Sequence, residues 1–200
     1  MMTEYELEYW NKNELVIGLD EAGRGPIAGP LVVAGVIFPA FYHNPLINDS
    51  KKLSSKTREQ LMGVIIKDCL RYEVTVIEPK TIDDKNIYQA TKDGMTSIIL
   101  NYKIAALTDA MPISIETEVT SIIKGDQKSV SIAAASILAK VTRDKIMEDY
   151  DLVYPEYGFK KHKGYPTKQH VEALEKHGIT PIHRLTFKPV SLLNQLKLDI

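Results

Sequence analysis

Four carboxylates in this chain of 200 residues stand where a charge needs a chemical reason. Asp20 and Glu21 are adjacent and arrive where an apolar run stops, Asp109 closes a second short apolar run, and Asp144 follows Ile137 and Val141 on the apolar stripe of a helical pattern. Neither cysteine nor histidine accompanies them. All-oxygen ligation by carboxylates selects hard cations, Mg²⁺ or Mn²⁺, and two such ions about 4 Å apart form the clamp that drives in-line phosphodiester hydrolysis. The acids point to metal-dependent phosphodiester chemistry.

The first pair sits in LVIGLDEAGRGPIAGP, Leu15 to Pro30. Leu15, Ile17 and Leu19 alternate as a strand does. Consecutive strand side chains face opposite ways, so Asp20 and Glu21 converge only if the chain turns at Glu21. Gly23, Gly25 and Gly29 supply that turn, and the backbone amides they leave uncovered can cradle a phosphate. Taken alone, Asp-Glu before glycine equally fits a charged hairpin loop. A dinucleotide fingerprint is a poorly matched rival, because Gly23-x-Gly25-x-x-x-Gly29 is one residue too long and a strand follows; a Walker loop lacks its Gly-Lys-Ser/Thr.

The elements that must position these groups read as a mixed α/β order. Leu31 to Phe38 has the continuous apolar character of a central strand and pairs antiparallel with the first. Asn48 to Lys52 is a polar loop ahead of a helix over 55–70 with Leu61, Ile65 and Cys69 on one stripe. There Ser50 and Lys51 serve either solubility or a phosphate at the helix start. Tyr72 to Glu78 is a third strand ended by Pro79, and Ile87, Ala90, Gly94 and Ile98 mark a second helix. Ile104 to Met111 is a strand that delivers Asp109 at its C-terminal end, where ligands of open α/β sheets gather. Ile113, Ile115, Thr117 and Val119 alternate as a further strand, and Lys124 to Lys128 is a charged turn. In the helix over 130–149, Ala133 to Ala135 permit close approach to the sheet and carry Asp144 inward. Metal coordination answers its charge better than an ion pair with Arg143 or Lys140. Tyr154 to Pro166 interleaves rings with bases, as a nucleic-acid contact or a surface loop does. Thr167 caps a last helix stopped by Gly178. His162, His170, His177 and His183 lack zinc spacing and are expected at the surface or beside substrate.

Net charge is −1 and 44% of residues are hydrophobic, so no overall basic excess marks a nucleic-acid binder. The charge is segregated: 1–50 and 73–122 are net acidic, 51–72 and 123–200 net basic. Acid around a metal site and base along a polyanion would produce that pattern; a patchwork of solvated faces would too. Cys69 is the single cysteine, the N-terminus has no apolar signal core, and the longest apolar run is one buried strand. A cytoplasmic protein with no membrane contact is expected.

Six motifs in order resemble the ribonuclease HII family from about Glu14 to Val190: DEAGRGPIAGP at Asp20 to Pro30, NDSKKL at Asn48 to Leu53, Leu107-Thr108-Asp109, Lys124-Gly125-Asp126, AASILAKVTRD at Ala134 to Asp144, and HKGYPT at His162 to Thr167. The resemblance implies a ribonuclease H-like α/β fold, a mixed central sheet flanked by helices with a small helical C-terminal extension. Residues 1–150 would form the catalytic domain and 151–200 a substrate-binding helical segment packed on it. It also implies cleavage, with Mg²⁺ or Mn²⁺, of the RNA strand of RNA/DNA hybrids and incision 5′ to single ribonucleotides in duplex DNA. The products would be 5′-phosphate and 3′-hydroxyl ends.

Carried over by motif, Asp20, Glu21, Asp109 and Asp144 resemble the family's metal-binding catalytic acids. Gly23-Arg24-Gly25 resembles the loop that reads the ribose 2′-OH and adjacent phosphate, the group that separates RNA from DNA. Tyr165 resembles the ring that packs on the neighbouring deoxyribose, and Ser50, Lys51 and Lys124 match phosphate contacts. The sister family, ribonuclease HIII, is not the expected one, because Gly23-Arg24-Gly25 resembles the HII form and the 19 residues before Asp20 are fewer than the N-terminal domain of that family would need. A non-cleaving RNA/DNA-binding protein on the same fold is the alternative, against which four intact acids argue. The tail from Gln195 to Ile200 faintly resembles a sliding-clamp docking peptide without its aromatic; a terminal turn burying Leu193 and Leu196 is the competing expectation. A monomer is expected.

Overall fold

The computed structural model describes residues 2–47 and 53–198, with side chains to residue 195. In chain order it contains α1 (Glu4–Trp10), β1 (Val16–Ala22), β2 (Leu31–Ile37), α2 (Ser55–Asp68), β3 (Arg71–Ile77), α3 (Pro79–Lys85) and α4 (Ile87–Tyr102). There follow β4 (Ala105–Asp109), β5 (Val119–Ile122), a 3₁₀ turn (Gly125–Gln127), α5 (Val130–Val153), α6 (Phe159–His162), α7 (Lys168–His177) and α8 (Val190–Leu198). Two compact units divide the chain, one from Met1–Ala22, Val32–Thr75 and Thr91–Val141, the other from Gly23–Leu31, Val76–Ala90 and Thr142–Ile200.

In the first unit the strands form one mixed sheet in the order β3-β2-β1-β4-β5. β1 runs antiparallel to β2 and parallel to β4, and β4 parallel to β5. Every residue of β2 is buried, as its continuous apolar sequence requires of a strand covered on both faces. The sequence of β3 is polar on one side and the strand is half exposed at the sheet edge. Packing is closest at Gly18, where a Cβ would stand 2.4 Å from the Ile132 backbone nitrogen and from the Ser131 carbonyl carbon. The start of α5 thus lies directly on β1 through Ser131 and Ile132, a close approach of the kind the following alanine run predicts. That helix start is held by α1, an element with no evident signal in the acidic N-terminal sequence. Buried Glu6 accepts from Ser129 Oγ at 2.6 Å and from the Ser131 amide at 3.0 Å.

The second unit packs Ala28, Met147, Tyr157, Phe159, Ala173 and Ile182 into one cluster, with the Tyr157 and Phe159 rings stacked at 5.3 Å. Thr167 caps α7 by accepting from the His170 amide, and Gly178 ends it at φ 86°. Leu193 of α8 packs with Ile27, Leu174 and Val190, as the tail's burial predicts for that residue; the Leu196 side chain lies outside the described residues.

Several expectations are corrected. β1 does not turn at Glu21: Glu21 pairs with Val33 and Ala22 with Val32, and the reversal begins at Gly23, φ 105°. The ladder to β2 outlasts the acidic pair, and Glu21 still lies close enough without the turn for its charge to raise the Asp20 pKa. No strand covers 113–118; β5 begins at Val119, and the alternation there places Ile113 in the core and leaves Glu116 and Glu118 exposed, with Glu118 O tied to β4 through the Ala106 amide at 2.9 Å. Pro79 does more than end β3, since it opens α3 at the helix position where its missing N–H costs nothing.

Candidate active site

Asp20 and Asp109 are brought together by strand register. The last parallel pair between β1 and β4 is Leu19 with Thr108, so the two acids stand one residue further along adjacent parallel strands and on the same face. Asp20 is buried. Its Oδ1 accepts the Glu21 amide at 2.7 Å, and Ser136 of α5 bonds the same carboxylate. Burial raises its pKa well above the usual carboxylate value, and the charges of Glu21 and then Asp109 raise it further. Half-buried Asp109 is held by the Gly125 amide, which donates to Oδ1 at 2.7 Å. That places exposed Lys124, in left-handed backbone at φ 57°, next to the residue that grips Asp109.

Among the described residues no three His, Cys, Asp or Glu side chains gather into a cage for an ion. The donor chemistry nonetheless fits a hard divalent cation. Mg²⁺ keeps most of its waters and is commonly held through one or two carboxylates with the substrate phosphate completing the shell. A buried carboxylate destabilised by two like charges is the electrostatic situation a cation relieves.

In the second unit the expectation for Asp144 is corrected. Asp144 is half-buried, and its neighbour Arg143 is the fully buried residue. Ala139, Arg143 and Met147 are all buried at a spacing of four, which defines a stripe of α5 beside the one read from the sequence. Arg143 is stabilised there by carbonyls: Nε donates to Pro30 O at 2.9 Å, Nη2 to Ala28 O at 3.2 Å and Nη1 to Lys163 O at 2.9 Å. Arg184, also fully buried, donates to Gly29, Gly23 and Arg24 carbonyls at 2.7–3.2 Å. Burial lowers the two guanidinium pKa values to about 10 and about 9, so both remain charged at neutral pH.

These two arginines shape the loop holding Gly23, Arg24 and Gly25. Gly23 has room for no side chain, since a Cβ would lie 2.2 Å from Arg143 Nε. Arg24 and Gly25 are exposed, and the Tyr165 ring, itself 43% exposed, lies 3.4 Å from where a Gly25 Cβ would be. The structure therefore brings Gly25 and Tyr165 together. Ser50 and Lys51 lie outside the described residues.

Of the four histidines read from the C-terminal sequence, His177 is exposed but His162, His170 and His183 are buried. Their partners assign one tautomer each. The Gly164 amide donates to His162 Nδ1, leaving Nε2–H for Tyr157 O at 2.8 Å. The Thr180 amide donates to His183 Nδ1, so His183 Nε2–H donates to His170 Nε2 at 3.1 Å and His170 Nδ1–H to Tyr165 O at 2.9 Å. Burial pulls His170 and His183 down to about 4 each, and the neighbouring rings add to the shift. The aromatic-rich sequence around them, Tyr157 and Phe159, was the available signal for this core; nothing local marked Arg184.

The ribonuclease HII family model matches residues 17–190 of the chain. The chain belongs to the ribonuclease HII family. A ribonuclease HII of Mycoplasma capricolum is 53% identical over 89% of this chain and 88% of its own length. The crystal structure of ribonuclease H2 from Pyrococcus horikoshii superposes with TM-score 0.76 at 26% identity, covering 93% of this chain and all of that one. The ribonuclease HII of Archaeoglobus fulgidus, solved in complex with PCNA, does so with TM-score 0.75 at 32% identity over 87% and 95% of the two chains. The protein is accordingly a ribonuclease H endonuclease with the ribonuclease H-like α/β fold. No helix among the described residues is long and apolar enough to cross a membrane.

Proposed function

We propose that this ribonuclease HII family member hydrolyses the RNA strand of RNA/DNA hybrids and cuts 5′ to single ribonucleotides in duplex DNA, using Asp20, Glu21, Asp109 and Asp144 as metal ligands. The observation that carries the reading is the placement of buried Asp20 beside Asp109 at the ends of adjacent parallel strands, with its charge opposed by its neighbours. Bound Mg²⁺ or Mn²⁺ supplies the positive charge that lowers the pKa of an attacking water and neutralises the phosphate oxygens. Main-chain groups of Gly23-Arg24-Gly25 hold the ribose 2′-OH and the adjacent phosphate, and the exposed Tyr165 ring packs on the deoxyribose that follows. Lys124, Ser50 and Lys51 contact flanking phosphates. Water attacks phosphorus and the bond to O3′ breaks, leaving a 5′-phosphate and a 3′-hydroxyl, with no base read.

The test is cleavage, with Mg²⁺ or Mn²⁺ and with chelator, of a labelled DNA duplex holding one ribonucleotide, beside all-DNA and all-RNA duplexes and a long hybrid. Metal-dependent incision only 5′ to the ribonucleotide is expected. Cleavage of the hybrid alone would overturn the junction assignment, and tight binding without cleavage would favour the non-cleaving binder. Weak docking of residues 195–200 on a sliding clamp is supported by the Archaeoglobus relative's complex with PCNA. Equal capture by the clamp with and without residues 191–200 would remove it.

A further inference from the structure

We propose that Arg143 is a positioning residue that sets the spacing between the Gly23-Arg24-Gly25 loop and the segment carrying Tyr165, aligning both readers of the RNA–DNA junction from one side chain. The inference rests on the reading of those two segments as substrate readers. The Arg143 guanidinium donates to Ala28 and Pro30, which follow the loop, and to Lys163 on the other segment, at 2.9–3.2 Å, and a Cβ on Gly23 of the loop would stand 2.2 Å from its Nε. Its planar fork donates to three carbonyls at once in fixed directions, which a lysine ammonium on a flexible stem cannot do.

The two backbones also meet directly. The Ile27 amide donates to Gly164 O at 2.9 Å, and a Cβ on Gly164 would stand 2.2 Å from Ala28 O. Volume alone does not call for a charge here, because apolar residues of similar size usually replace buried ions with no loss of stability. What the charged fork adds is geometry. The next residue in the chain is Asp144, so one turn of α5 carries a proposed metal ligand and the strut that places the two readers.

Wild type, Arg143→Lys and Tyr165→Ala are compared by kcat/KM on a duplex with one ribonucleotide and on a long RNA/DNA hybrid. The junction substrate needs both readers at once, so Arg143→Lys should lower the ratio of the two values about tenfold, the scale of a sub-ångström misplacement. Equal loss on both substrates would mark a merely structural residue and overturn the proposal. An unchanged ratio in Tyr165→Ala would instead sink the junction reading itself, so the two failures are distinguishable.

Amide exchange supplies a measurement free of activity, and its wild-type half is free of any variant's folding. The amides of Ile27 and Tyr165, the latter bonded to His162 O, should open together with one rate. In Arg143→Lys both should accelerate while the amides of α5 do not. Independent opening of the two amides in the wild type would overturn the proposal.

Discussion

The backbone amide of Gly125 donates to Asp109 Oδ1 at 2.7 Å, so the acid that closes β4 is held by the turn that follows β5. A Cβ on Gly125 would in turn meet Ile132 Cδ1 at 2.6 Å, which ties that turn to the start of α5. The grip on Asp109 needs an acceptor oxygen and no charge.

Asp109→Asn should therefore fold as the wild type does, because the amide oxygen still accepts from Gly125, while cleavage falls by about 100-fold or more with the loss of a metal-neutralising charge. Thermal melts and single-ribonucleotide cleavage check the two halves. Retained cleavage would remove Asp109 from the site.

Asp20→Asn should raise the melting temperature in chelator while abolishing cleavage. It removes a buried charge that Glu21 and Asp109 oppose, a trade of function against stability. Added Mg²⁺ or Mn²⁺ should raise the melting temperature of the wild type and have a smaller effect on the variant. A variant less stable than wild type in chelator would show that the charges are not in conflict.

Acid should loosen the second unit. His170 and His183 titrate near 4 in the fold against about 6.5 unfolded, so between these values the unfolded chain binds more protons. Stability then falls as pH drops from about 6.5 to about 4, with a slope approaching 1.4 kcal/mol per pH unit for each ring, and is flat with respect to these groups above and below. Urea midpoints across that range provide the measurement, and His183→Ala should flatten the slope.

Gly18→Ala should destabilise the first unit by about 3 kcal/mol, the upper range for overpacking, since the new Cβ meets backbone of α5 and no flexible side chain. Gly63→Ala, where nothing lies within 4 Å, should be neutral or slightly stabilising in its exposed helix. Equal effects of the two substitutions in denaturant unfolding would refute the close approach of α5 to β1.

Sequence by itself determined the parts of this protein whose cause is local. The buried run of β2, the cap of α7 at Thr167 and its stop at Gly178 follow from periodicity and backbone chemistry carried by neighbouring residues. The acids Asp20, Glu21, Asp109 and Asp144 stand out in the sequence as candidates because a charge at the end or along the stripe of an apolar pattern needs a reason, although for Asp144 the stripe itself is misplaced by one residue. The family was legible for the same cause, six short motifs in order. Tertiary structure alone decided which distant residues meet. Asp20 is opposed by Asp109 only because β1 and β4 pair in parallel with Leu19 opposite Thr108. Arg143 went inward in place of Asp144 because a guanidinium can be satisfied by the carbonyls of Ala28, Pro30 and Lys163, acceptors that no helical wheel contains. The histidines were buried for the same reason: His170 and His183 are neutral donors and acceptors to each other, to Thr180 and to Tyr165, and partners far apart in the chain exist only once the chain has folded.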